Sequence, residues 1–264
     1  MKMIQDKNLL GESPIWNYFN SSLYWVDIDG YKVKKYSDEK GIVSYNMKKK
    51  PTCLALIDAN TMMIALEDGI GIYDYRNNSY NYLAKIDNKP VRLNDGKCDK
   101  NGILHIGSMC LYEPKEPIGT IYNFKNGKLN ELIPNIGISN GISFDKNNTM
   151  YYADSLQKTI YKFDANNTVI HSYNDCCPDG STIDINNKYY SCLWEGYGID
   201  VFQEQKKVEH IDLPCKFTTC CCFGGENMNK LFVTSAYNDT NDCGNIHVLD
   251  LDCNGIKEPV FSYD

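Results

Sequence analysis

Residues 140–164 read NGISFDKNNTMYYADSLQKTIYKFD. The stretch holds a short apolar run, an Asp/Asn turn, a second run with alternating aromatic and aliphatic residues, another polar turn, and a third run, TIYKF, closed by Asp164. Successive side chains leave a strand on opposite faces, so period-two runs separated by Asn, Asp and Gly turns predict antiparallel strands. The phrase recurs as SPIWNYFNSSLYWVDIDGYKVKKY from Ser13, CLALIDANTMMIALEDGIGIYDY from Cys53 and NDGKCDKNGILHIGSM from Asn94. It returns as DGSTIDINNKYYSCLWEGYGIDVF from Asp179 and TCCCFGGENMNKLFVTSA from Thr219. The middle strands centre on Tyr24, Met63, Leu104, Tyr151, Tyr189 and Leu231. Their spacing of about 40 residues is that of one four-stranded propeller blade.

Six such units use up the 264 residues, which predicts an all-β, six-bladed β-propeller, a single domain over 1–264. A β-solenoid has a shorter repeat and fewer aromatic strands. Each small sheet is apolar on both faces and buries them only against neighbours in a closed ring. Segment 257–263, KEPVFSY, is expected to complete a blade with the N-terminal strands.

Composition narrows function by exclusion. The net charge is −7 and the basic residues are scattered, which speaks against a nucleic-acid partner. No run of about eighteen apolar residues suggests a membrane span, and the start, MKMIQDKNLLGESP, lacks an apolar leader core. A soluble, cytoplasmic protein is the expectation. Twelve cysteines in an intracellular chain of this length are expected to be reduced, packed thiols, and they are not spaced as zinc ligands. His105, His171, His210 and His247 fall in unrelated segments without a nucleophile elbow, and no glycine-rich nucleotide motif occurs.

In a propeller the innermost strands line one central channel, so residues at the start of each repeat converge although they are distant in sequence. Those positions carry Glu12 in GESPIW, Asn94 and Asp95 in RLNDG, Asn140 in ISNGI and Asp179 in PDGST. PTCLAL and TTCCCF, from the other two repeats, add little charge. Singly, Asn and Asp are turn formers. Sharing one phase in successive repeats, carboxylates and amides form an oxygen-donor set suited to a hard divalent cation. Arg92 stands two residues before Asn94, which on a strand sends both side chains to one face.

The motifs GESPIW, RLNDGK, ISNGI, PDG and LPCKFTTCCCFGG, in that order from about Leu10 onward, resemble the senescence-marker-protein/gluconolactonase/luciferin-regenerating-enzyme family. The resemblance implies a six-bladed propeller that binds one divalent cation (calcium, zinc, manganese or magnesium) and hydrolyses small-molecule sugar lactones. It implies Glu12, Asn140 and Asp179 as metal ligands, Arg92 and Asn94 as the substrate-contacting pair, and Asp179 as general base. The family's acidic pair after its G-T/S-M segment is missing here: Ser108-Met109 is followed by Cys110-Leu111-Tyr112-Glu113, so either Glu113 is expected to reach substrate from one position later or Tyr112 to reshape the lid. The loop from Glu113 to Gly119, stiffened by Pro114 and Pro117, reads as a lid. A calcium-binding propeller without turnover and a metal-dependent phosphotriesterase are the alternative readings.

Overall fold

Each repeat folds as an antiparallel meander whose strands alternate because both of their faces must be covered. In the computed structural model, which describes residues 1–86, 90–113, 115–239 and 243–263, the chain opens with β1 (Lys2–Ile4). Blade 1 is β2 (Gly11–Asn17), β3 (Ser22–Asp27), β4 (Lys32–Ser37) and β5 (Gly41–Asn46). Blade 2 is β6 (Pro51–Leu56), β7 (Thr61–Leu66), β8 (Gly69–Asp74) and β9 (Ser79–Lys85). Blade 3 is β10 (Val91–Cys98), β11 (Leu104–Cys110), β12 (Gly119–Lys125) and β13 (Lys128–Ile136). Blade 4 is β14 (Ser139–Phe144), β15 (Met150–Asp154), β16 (Thr159–Lys162) and β17 (Thr168–Ser172). Blade 5 is β18 (Cys177–Ile183), β19 (Tyr189–Trp194), β20 (Gly198–Gln203) and β21 (Lys206–Asp212). Blade 6 is β22 (Thr218–Gly224), β23 (Lys230–Ser235) and β24 (Ile246–Asp250), with β1 as its outermost strand. The six-bladed propeller is therefore the observed fold.

Period two has a direct reading in the packing. Leu23 and Trp25 of β3 face blade 6, where they meet Cys222, Phe232 and Ile246, while Tyr24 and Val26 face blade 2 and meet Leu54, Met62 and Ile64. Six apolar clusters result, one at each blade-to-blade interface. The turns after the innermost strands repeat one device: Asp58, Asp99, Asp145 and Asp184 each accept two backbone N–H groups of their own turn, which is why Asp with a following Asn recurs there.

Ring closure differs from the expectation. β1 pairs with β24 in the register Lys2↔Val248 to Ile4↔Ile246, and segment 257–263 joins no blade. Val260 makes a parallel bridge to Leu56, Phe261 is buried against the blade 2–blade 3 cluster, and Pro259 has no N–H for a ladder, so the segment turns under the ring. The N-terminal closure is pinned by Lys34, whose ammonium lies 2.8 Å from Asp6, 2.8 Å from Asn8 Oδ1 and 3.4 Å from Asp27. Lys34→Met removes the cation that neutralises Asp6 and Asp27 and is expected to lower stability by about 3 kcal/mol in urea unfolding.

The cysteines also depart in one place. Cys215 and Cys243 form a disulfide between the loop entering β22 and the loop after β23. Ten others are free thiols, seven of them buried, as packed reduced cysteines were expected to be.

Candidate active site

Every innermost strand breaks register near its start. The shift falls between Glu12 and Ile15, Pro51 and Cys53, Leu93 and Gly96, Asn140 and Ser143, Pro178 and Ser181, and Thr218 and Cys221. A bulge re-aims side chains at the rim of a sheet, and here six bulges sit at one end of the channel. The local sequence permits them: Gly141 adopts φ 60° and Ser13 φ 46°. The predicted polar residues thus lie inside the first strands, at the bulges, rather than ahead of them. Glu12, Asn94, Asp95, Asn140 and Asp179 are all buried, and Arg92 is half-buried.

A hydrogen-bond relay crosses three blades. Arg92 Nη1 donates to Asn94 Oδ1 at 2.7 Å and to the Leu93 carbonyl at 2.9 Å. Asn94 Nδ2 donates to Asn140 Oδ1 at 2.8 Å and to the Ser139 carbonyl at 2.9 Å. Asn140 Nδ2 donates to Ser155 Oγ at 2.9 Å, and Ser155 Oγ donates to the Pro178 carbonyl at 2.6 Å, beside Asp179. The relay fixes which way both amides point and leaves Asn140 Oδ1 a second lone pair. Sequence reading missed Ser155, a serine in a β15–β16 turn that carries no local signal.

The carboxylates are under electrostatic tension. Burial, then the charge of Asp95, pushes Glu12 up from 4.5 to about 8, against one backbone hydrogen bond from Ser13 at 3.0 Å. Burial raises Asp95 to about 6, with Lys97 and the Ile142 amide opposing. Asp179 is raised well above the usual carboxylate range by burial and by the charges of Glu12 and Asp95. Groups that shift one another in this way share one low-dielectric space. Glu12, Asp95, Asp179 and Glu258 bring four negative charges when ionised, and Arg92 and Lys97 bring two positive, so two remain uncompensated.

That deficit and the oxygen donors of Glu12, Asn140 and Asp179 fit a hard divalent cation. Among the described residues no three His, Cys, Asp or Glu side chains form a metal-binding group. Glu113 is not brought to this cluster. Its carboxylate is 76% exposed and sits 2.9 Å from Lys115. Of the lid, Pro114 lies outside the described residues. Below the cluster the channel narrows to a space of about 20 Å³ bounded by Ser13, Asp95, Lys97, Cys220, Glu258 and Pro259. A larger cavity of about 890 Å³, walled by Trp16, Tyr36, Ile42, Phe232 and Val248 between blades 6 and 1, holds none of these groups. No helix among the described residues is long and apolar enough to cross a membrane.

A family model described as SMP-30/Gluconolactonase/LRE-like region matches residues 10–237. Regucalcin of Danio rerio is 31% identical over 89% of this chain and 85% of its own. L-arabinolactonase of Azospirillum brasilense is 28% identical over 87% of this chain and 82% of its own. The crystal structure of a calcium-binding protein, regucalcin, from Agrobacterium tumefaciens superposes with a TM-score of 0.90 at 24% identity, covering 99% of this chain and 97% of that one.

Proposed function

Since the chain belongs to the SMP-30/gluconolactonase/LRE-like family, we propose that it is a divalent-cation-dependent hydrolase that opens sugar (aldonic acid) lactones. The observation that carries this reading is the buried set of Glu12, Asn140 and Asp179 with its uncompensated charge. The name L-arabinolactonase, borne by one relative, supports the substrate class. We propose a cytoplasmic location on the strength of its ten free thiols, although the Cys215–Cys243 disulfide is unusual there.

Lactone hydrolysis adds water across the acyl C–O bond and gives a hydroxy acid. A divalent cation held by Glu12, Asn140 and Asp179 supplies Lewis acidity toward the carbonyl oxygen and makes a bound water more acidic. Asp179 then accepts the proton of the attacking water. Arg92, with Nη1 committed to Asn94 and Leu93, uses its other N–H groups on substrate oxygens. Asn94 works mainly as a coupling: it ties the Arg92 guanidinium to Asn140, so substrate and cation sites keep a fixed offset. Glu113 contributes a substrate contact only when its loop turns the carboxylate inward from Lys115.

The test is a pH-drop assay of metal-stripped protein on a panel of aldonolactones and one organophosphate, with calcium, zinc, manganese or magnesium restored in turn. Lactone hydrolysis is expected to require an added cation, and undiminished activity in chelator overturns the reading. Preference for the organophosphate assigns a phosphotriesterase, and cation uptake with no turnover of either class assigns a binding protein.

A further inference from the structure

The last segment of the chain passes beneath the ring, at the end of the channel opposite the bulges, and touches every blade. Gly255 N–H donates to the Met228 carbonyl at 2.7 Å in blade 6, and Ile185 N–H of blade 5 donates to the Asn254 carbonyl at 2.9 Å. Ile256 joins the cluster between blades 4 and 5, and Lys257 Nζ lies 5.4 Å from the ring centre of Tyr18 in blade 1. Phe261 N–H donates to Leu56 of blade 2 at 2.7 Å, and Ser262 N–H to Gly102 of blade 3 at 2.9 Å. Between these anchors, Glu258 points into the channel. Its Oε1 is 3.1 Å from Lys97 Nζ, which also donates to the Ser181 carbonyl at 3.1 Å. Both side chains are largely buried, and they border the same 20 Å³ space as Asp95, room for about one water.

Lys97 is the nearest fixed cation beneath the carboxylate cluster, two residues along β10 from Asp95, whose charge it opposes. An ammonium on a flexible stem, without a partner of its own, would turn to the cluster and neutralise part of it. We infer that Glu258 is a positioning residue for the candidate cation site: it engages Lys97 from below and thereby holds the ammonium away from the carboxylate oxygens, leaving them to a divalent cation. This role rests on the reading that Glu12, Asn140 and Asp179 hold such a cation. Glu258 touches neither substrate nor cation and acts only through Lys97.

The experiment is calorimetric titration of calcium and of manganese into metal-stripped protein, for wild type, Glu258→Gln, Lys97→Met and the double variant, with the melting temperature of each. Glu258→Gln is expected to weaken binding at least tenfold, Lys97→Met to leave it equal or tighter, and the double variant to return within about threefold of wild type, since a tenfold change is about 1.4 kcal/mol of charge interaction. Unchanged affinity in Glu258→Gln overturns the inference. Loss of affinity in all three variants, following their melting temperatures, shows a strap that is structural only and overturns it as well. Wild-type protein that takes up neither cation removes the cation site itself, and this role with it, which separates the two failures.

Discussion

Asp179→Asn is expected to cut lactone hydrolysis by on the order of 10²–10⁴-fold, to weaken cation binding, and to raise the melting temperature of the metal-free protein at pH 8. The third result separates a functional carboxylate from a structural one. Asp179 is buried in the β18 bulge, and the group that favours its charged form most directly is the Gly180 backbone N–H. Against it stand desolvation and the charges of Glu12 and Asp95, so in the metal-free fold the ionised side chain is destabilising. An isosteric amide removes that repulsion while filling the same space. Loss of a structural hydrogen-bonded carboxylate would act in the opposite sense, because partners left unsatisfied cost stability. Thermal melts in chelator, beside initial rates with saturating cation, read both quantities. Turnover within tenfold of wild type, or a lower metal-free melting temperature, would remove Asp179 from the role given it.

Much of this was legible in the sequence because a propeller repeats its physics. Alternation in SLYWVD or MYYAD marks strands whose two faces pack on two different blades, and the blade spacing follows from four short strands and their turns. Phase then placed Glu12, Asn140 and Asp179 together. The bulges that aim them were not readable, since a register shift is a property of a strand pair; only Gly96, Gly141 and Gly180 hint at it. Ring closure by Lys2–Ile4 was missed because three residues hold too little pattern, while KEPVFSY looks more like a strand. That segment's actual course depends on Phe261 and Glu258 reaching partners some 130–160 residues away, Phe124 and Lys97. Glu113, chosen by analogy of position, sits instead in an exposed ion pair with Lys115, because a lid loop's side chains follow local charge as readily as the site below. The Cys215–Cys243 pair joins two loops that meet once β22 and β23 have paired.

The metal-free protein is expected to lose stability as pH rises from about 4.5 to 8, and a divalent cation to abolish that loss. Glu12 titrates near 4.5 when unfolded and near 8 in the fold, and Asp95 moves from 3.8 to about 6. An acid whose folded pKa is raised binds its proton more tightly in the native state, so its stabilising effect is complete below the unfolded value. That effect disappears progressively until the folded pKa is passed. Asp179 shifts in the same direction. At about 1.4 kcal/mol per pKa unit the swing from Glu12 and Asp95 is on the order of 8 kcal/mol, or about 15 °C in melting temperature for a chain of this length. His105, whose pKa burial lowers, gains stability as pH rises through its range and works against the trend. It does so equally with and without cation, so it cancels in the difference between the two melts. A bound cation holds the carboxylates ionised, which reverses their dependence: the loaded protein loses stability as pH falls and protons compete for the same oxygens. The gap between loaded and metal-free melting temperatures should therefore be small near pH 5 and widest above pH 8. Melts across that range in chelator and in excess calcium or manganese measure it, and a gap that is constant with pH would mean that Glu12, Asp95 and Asp179 do not share the cation's charge.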